Sequence, residues 1–186
     1  AILVEPVQSR QPELQPVEFL RELRTITEDA GALLIFDEVV TGFRSHPGGV
    51  QELFGVRADI CTYGKVIGGG FPIGVIAGKR EYHDALDGGS WQFGDDSVPR
   101  VGVTYFAGTF VRHPLALAAA KATLEHLARE GSKLQLQLTD LTNDLVEGLN
   151  SHCEKVGAPI VVTSFSSMWR IDFTQDHPLQ DLLFAM

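Results

Sequence analysis

The chain has 186 residues, a formal net charge of −9 and 44% hydrophobic residues, which suffices for one substantial core and is ordinary for a globular domain. With a pI near 5.0 and no Lys/Arg run longer than two residues, it lacks the surface that binds nucleic acid or anionic membrane. Cys61 and Cys153 lie far apart and imply no disulfide framework, and the lack of a signal peptide or long apolar span predicts a cytoplasmic protein.

Residues 1–4 read as a strand, closed at Glu5-Pro6 because proline cannot donate to a ladder. Glu5 suits a functional or a structural carboxylate equally. Pro16 then opens a helix whose apolar positions, Phe19, Leu20, Leu23, Ile26 and Ala30, recur every three or four residues up to Gly31. Residues 33–36 follow as a central strand, apolar for four residues and abruptly acidic at Asp37-Glu38, as a buried parallel strand is where its carboxyl end opens into a crevice. Arg44 and His46 fall in the next loop, where Arg44 serves as an anion ligand or as a solvated arginine. A short helical piece at 50–54 and a strand at 59–62 deliver Lys65, and 73–77 form a further short strand.

From 87 to 108 regular patterns are few, and a loop that long in a compact domain is usually functional or disordered. Its aromatic residues, Trp91, Phe93, Tyr105 and Phe106, predict an ordered, packed loop that walls the active site and joins a dimer interface. An alanine-rich helix over 115–129 stops at Gly131. Leu134, Leu138, Leu141, Leu145 and Leu149 mark a second long helix whose leucine stripe is expected to pack in the core. Strands at 161–162 and 168–173, the latter alternating Trp169, Ile171 and Phe173, begin a smaller α+β domain. The opening apolar run without methionine, and the end at 181–186 without a terminal pattern, fit a piece of a longer protein.

The chemistry lies in a pair. Lys65 follows Asp37 by 28 residues, about the length of one strand, one crossover helix and the next strand, so both reach one crevice at the carboxyl ends of a sheet. A lysine amine kept from water condenses with a carbonyl as a Schiff base, and a carboxylate beside a pyridine nitrogen keeps that ring protonated and electron-accepting. Those are the two requirements of pyridoxal phosphate. Other classes fit less well. There is no HExxH or CxxC spacing for zinc and no Gly-x-Ser-x-Gly for a hydrolase. A strand ending in Asp37-Glu38 also suits the magnesium site of a P-loop nucleotide hydrolase, but Lys65 precedes Val66 and Lys79 precedes Arg80, so no Gly-x-x-x-x-Gly-Lys-Ser/Thr exists here. A non-enzymatic docking domain has no physical need for an amine and a carboxylate in one crevice.

The runs Asp37-Glu38-Val39-Val40-Thr41-Gly42-Phe43-Arg44 and Gly64-Lys65-Val66-Ile67-Gly68-Gly69-Gly70-Phe71-Pro72-Ile73-Gly74 resemble the signature of class III pyridoxal-phosphate aminotransferases, especially the glutamate semialdehyde aminomutase branch. Val4-Glu5-Pro6-Val7-Gln8 and Ala107-Gly108-Thr109-Phe110 with His113-Pro114-Leu115-Ala116 resemble the flanking motifs. The resemblance implies an α/β, fold-type I transferase: residues 1–130 as part of the mostly parallel large domain, and 131–186 as the linking helix and start of the small domain. It assigns Lys65 the Schiff base to pyridoxal 5′-phosphate and the proton shift, Asp37 the pyridine nitrogen, Val39 the ring face and Gln8 the neighbourhood of the phenolic oxygen. Gly108-Thr109 would reach the phosphate of a neighbouring subunit, so a homodimer is implied. The stretch from Trp91 to Pro114, with Arg112-His113 where simpler relatives carry Gly-Asn, resembles aminotransferase domains of hybrid polyketide and nonribosomal peptide synthetases, such as those of cyanobacterial microcystin or nodularin synthesis. That likeness implies a β-keto acyl substrate on a carrier protein, with glutamate as amino donor. The class III resemblance places the other phosphate-binding loop and the aromatic residue over the cofactor upstream of this chain, so the isolated piece is expected to bind cofactor poorly.

Overall fold

Leu34 and Phe36 have no exposed surface, and the strand that carries them is the centre on which the other elements pack. The computed structural model describes residues 1–89, 91–100, 102–105, 107–175, 178 and 182. Phe106, and all of 181–186 except Leu182, lie outside the described residues. A four-stranded sheet has the order β1 (Ile2–Val4), β2 (Leu34–Asp37), β3 (Ile60–Tyr63), β4 (Val75–Gly78). The first three strands are parallel and the fourth is antiparallel to its neighbour. Direction follows connection length: two helices, α1 (Val17–Asp29) and α2 (Gly49–Phe54), fill the long crossovers, whereas the link from β3 to β4 is too short to return a strand in parallel. A 3₁₀ turn (Lys65–Gly68) occupies that link, and a short helix α3 (Arg80–His83) follows β4.

Two long helices, α4 (Pro114–Glu130) and α5 (Ser132–Val156), lead to a separate antiparallel hairpin of β5 (Ile160–Phe165) and β6 (Met168–Phe173). The hairpin is not isolated from the sheet. Phe165 and Met168 enter the same buried cluster as Val7, Leu20, Phe36 and Phe54, and the rings of Phe54 and Phe165 stand 6.1 Å apart.

Two expectations from periodicity and one from aromatic content are corrected. In α1 the inward stripe is Leu20, Leu23 and Thr27, while Phe19 and Ile26 are exposed; a helix turns only one narrow face to a single sheet, and these two sit on the adjoining face. In α5, Leu138, Leu141 and Leu145 are exposed, and Gln135, Thr139, Thr142 and Asn150 turn inward or to the hairpin. The polar stripe wins because it has bonds to make: Asn150 both accepts from the Val162 N–H and donates to the Val162 carbonyl, each at 2.8 Å, and Thr139 Oγ1 lies 3.0 Å from Ser166 Oγ. In the 87–108 loop, Phe93 is 99% and Tyr105 91% exposed, so their rings are not packed within this chain.

Candidate active site

Side chains alternate across a strand, and this alternation separates the two carboxylates at the end of β2. Asp37 faces Thr62 across the sheet. Its Oδ1 accepts from Thr62 Oγ1 at 2.9 Å and from the Val39 N–H at 3.1 Å, with the second oxygen left for a ligand. Glu38 points the opposite way and is 1% exposed. It accepts from the Val50 N–H at 2.8 Å, from Thr41 Oγ1 at 3.3 Å and from the Gln51 N–H at 3.4 Å, which ties the start of α2 to the strand end. Burial pushes its carboxyl above the usual range, the hydrogen bonds working against that rise. Glu38 is therefore committed to the fold.

Lys65 is delivered by β3 through Gly64, whose added Cβ would stand 3.2 Å from the Ile73 carbonyl and 3.4 Å from Val39 Cγ1. Only a glycine passes there without moving the wall. Lys65 itself is exposed and has φ 46, in the left-handed region. At the far end of its turn, Gly69 (φ 58) leaves no space for a Cβ, which would meet Thr123 Oγ1 of α4 at 2.7 Å. So α4 backs the lysine turn directly.

Lys65 lines a cavity of about 850 Å³, walled also by Val39, Leu117 and the segments 63–64, 71–75 and 108–112. Small-molecule sites span about 300–1,000 Å³, so this is a large one. The cavity brings together Lys65, Val39, Gly108 and Thr109 from three separate stretches of sequence. Asp37 is not on its wall, but is fastened to it through the Val39 N–H. Gln8 is exposed, away from the wall, with its carbonyl accepting from the Gln11 N–H at 3.0 Å.

The support behind the site was not legible. Phe43, at φ 64, sets its ring 5.3 Å from that of Tyr63, which lines the cavity two residues before Lys65. The carbonyls of Phe43 and Arg44 are held from α5 and the hairpin turn, by Gln135 Nε2 at 3.2 Å and Ser166 Oγ at 2.8 Å. A glutamine and a serine near exposed leucines carry no periodic signal that singles them out. The Arg44 Nε is buried and has no hydrogen-bond partner, which makes a freely solvated arginine the weaker of its two readings.

The model of the class III aminotransferase family matches residues 1–185. This chain belongs to that family. It is 45% identical over 174 residues to a glutamate-1-semialdehyde 2,1-aminomutase of Pyrobaculum calidifontis, covering 93% of the chain and 36% of that protein. Among solved structures, an omega-transaminase from Sphaerobacter thermophilus superimposes with TM-score 0.75 at 32% identity, covering all of the chain and 40% of its own. A transaminase with PLP bound gives TM-score 0.77 at 26% identity, covering 96% and 39%. The chain thus spans about two-fifths of the length of such relatives. The architecture is that of fold-type I transferases, and the family's cofactor is pyridoxal phosphate. The donor set fits that group: a lysine and a branched aliphatic residue on the wall of a large cavity, and a carboxylate fastened to that wall with one oxygen held by Thr62 and the Val39 N–H.

Proposed function

We propose that the full-length parent of this chain transfers an amino group from a donor amino acid to a keto acceptor, and that Lys65 and Asp37 carry the reaction. The observation that bears most weight is Lys65 on the cavity wall at a left-handed backbone position, because strain of that kind persists where surrounding structure holds a side chain for use. When bound, pyridoxal phosphate would supply a carbonyl for amine condensation and an electron-accepting ring. Lys65 would hold it covalently and then, once displaced by the donor, move the proton from the donor's Cα. Asp37 would keep its free oxygen toward the ring nitrogen while Thr62 and the Val39 N–H hold the other, Val39 would cover a ring face, and Gly108-Thr109 would face the phosphate. Gln8 near the phenolic oxygen belongs to the same reading, although its present position gives it no support.

The acceptor we favour is a β-keto acyl chain on a carrier protein, with glutamate as donor, in the setting of polyketide and peptide synthetases; the Trp91 to Pro114 segment supports this. The resemblance to an aminomutase at 45% identity favours a second reading, in which the amine returns to a neighbouring carbon of the same molecule. A homodimer belongs to both, and the exposed apolar side chains of Phe93, Tyr105, Phe110 and Leu115 support it.

The full-length protein with pyridoxal phosphate is expected to absorb near about 420 nm, to lose that band on borohydride treatment, and to retain the label on the peptide containing Lys65. Lys65→Ala should show neither. An unlabelled wild type would sink the proposal. Release of a keto acid from the donor marks a transferase, and isomerisation without release marks the mutase.

A further inference from the structure

Lys65 and Asp37 leave the sheet on separate segments. The register of β2 on β3 ends with Asp37 opposite Thr62, and the Glu38 N–H donates to the Thr62 carbonyl at 3.0 Å. Beyond that point Tyr63 is paired with Val75 of β4, Lys65 opens the 3₁₀ turn, and residues 39–44 run off from β2 as a series of turns. The Tyr63 side chain joins the two segments past the end of their ladder. A Cβ added to Gly42 would stand 2.6 Å from Tyr63 Cδ1 and 3.0 Å from Cε1, so the ring lies directly against the turn that follows Asp37. The Phe43 ring, carried at φ 64, is 5.3 Å from it and tilted by 54°, an arrangement that aromatic pairs favour. The hydroxyl accepts from Gln51 Nε2 of α2 at 3.0 Å, and the same nitrogen lies 3.3 Å from Cys61 Sγ. Burial first, then the Cys61 thiol and the Glu38 carboxyl, pushes the Tyr63 hydroxyl far above its ordinary value, so it remains neutral and hydrogen-bonding. Packing alone asks for a ring of the right size. A hydroxyl fixed by Gln51 also specifies how that ring lies.

We infer that Tyr63 is a positioning residue: held by Gly42, Phe43 and Gln51, it keeps the Lys65 turn in register with the turn that follows Asp37. It acts on the reaction through Lys65, two residues on along the cavity wall. The inference rests on the amino-transfer reading for its catalytic consequence, whereas the coupling of the two segments is a property of the chain itself. A misplacement of about 1 Å at a reacting group costs on the order of a hundredfold in rate, so a loose joint is felt in kcat before it is felt in substrate binding.

The test compares the full-length protein with Tyr63→Leu and Tyr63→Phe, and with Gly31→Ala, off the cavity wall, as a control for lost stability. Hydrogen exchange in the absence of cofactor reads the joint directly. The Gly42 and Arg44 N–H groups bond to the Glu38 and Thr41 carbonyls at 2.9 and 3.1 Å, and those of Ile67 and Gly69 to the Gly64 and Val66 carbonyls at 3.3 and 3.2 Å. Tyr63→Leu should speed exchange about tenfold in peptides covering 39–44 and 64–70 together, with α5 as in wild type. With pyridoxal phosphate it should lose about half the visible circular dichroism per bound cofactor, and kcat should fall about tenfold while the donor KM stays within about twofold. Tyr63→Phe keeps the ring and should recover most of the kcat, and Gly31→Ala should lower only the unfolding midpoint. Unchanged exchange, faster exchange in one segment alone, or a lower midpoint with dichroism and kcat intact would each overturn the assignment. If Tyr63→Leu does not fold, Tyr63→Phe decides: loss of the Gln51 bond must still speed exchange in both segments. A wild type that takes no borohydride label at Lys65 defeats the amino-transfer reading, and the exchange arm then still decides whether Tyr63 couples the two segments.

Discussion

At the scale of single residues, the neighbouring carboxylates Asp37 and Glu38 show how position divides identical chemistry. Both lie at the end of one apolar run, and nothing in their composition tells them apart; strand alternation sends one toward the cavity side and the other into the core. Glu38 then needs donors, and Gly49 makes them reachable. Gly49 has φ 74, and a Cβ built on it would stand 2.5 Å from Glu38 Oε1. Gly49→Ala therefore adds left-handed strain of about 1 kcal/mol and displaces a buried carboxylate from its Val50 and Thr41 partners, for a total cost of about 3 kcal/mol. The unfolding midpoint of the full-length protein should fall by several degrees, while Gly31→Ala, at φ 61 with open space around it, should cost only the strain. Equal losses in the two variants would show that the contact with Glu38 contributes nothing. The motif containing Asp37 and Lys65 was readable because it consists of residue types at a spacing, which the sequence displays directly. The duty of Glu38 was not, since it depends on which strand face the core occupies.

At the scale of elements, Asp59 joins four pieces of chain. Its Oδ2 accepts from Arg24 Nη1 on α1 and from the Leu34 N–H at the start of β2, both at 2.9 Å, and its Oδ1 pairs with Lys79 beyond β4 at 2.6 Å. Burial pushes this carboxyl up, but Lys79, the Leu34 N–H and Arg24 together outweigh it and bring the pKa down to about 2. A carboxylate depressed on folding adds stability above its unfolded pKa near 3.8 and loses it as the pH falls through the folded value. The contribution is about 2 kcal/mol, counting the half-exposed Lys79 lightly. Relative to Asp59→Asn, the wild type should be more stable at pH 7 and should lose that advantage between about pH 4 and pH 2; a constant difference across that range would refute a role for the ionised form. Most elements were legible, because apolar runs, glycines and prolines punctuate them. The inward face of α5 was not. Leucine spacing points outward there, and hydrogen bonds to Val162, Ser166 and the Phe43 carbonyl, which join parts of the chain far apart in sequence, decide which stripe turns in.

At the scale of the whole molecule, the cavity wall at 108–112 follows directly on the loop that carries the exposed aromatics Phe93 and Tyr105. A ring left in water forfeits the burial that makes an aromatic worth carrying, roughly 2 kcal/mol for each. Phe93 and Tyr105 are almost wholly exposed, and Phe110 and Leu115 largely so, along the stretch of chain that leads into the cavity wall. On the proposed homodimer, a second copy of the chain would recover that burial at the place where the family resemblance puts a threonine shared between subunits. The sequence announced an aromatic loop but not whether its rings turn inward, since an aromatic run suits packing within the chain and packing against a partner equally. Replacing both Phe93 and Tyr105 by Asp removes no contact within the chain, so the fold and unfolding midpoint should persist. In the full-length protein the double variant should dissociate at concentrations where wild type is dimeric by light scattering, and should release pyridoxal phosphate on gel filtration. Leu141→Asp, on the exposed stripe of α5, controls for the general effect of a surface charge. A double variant that remains dimeric would mean these rings face some other partner, and a monomer that retains cofactor would mean Thr109 serves the cavity of its own chain, where it already lies.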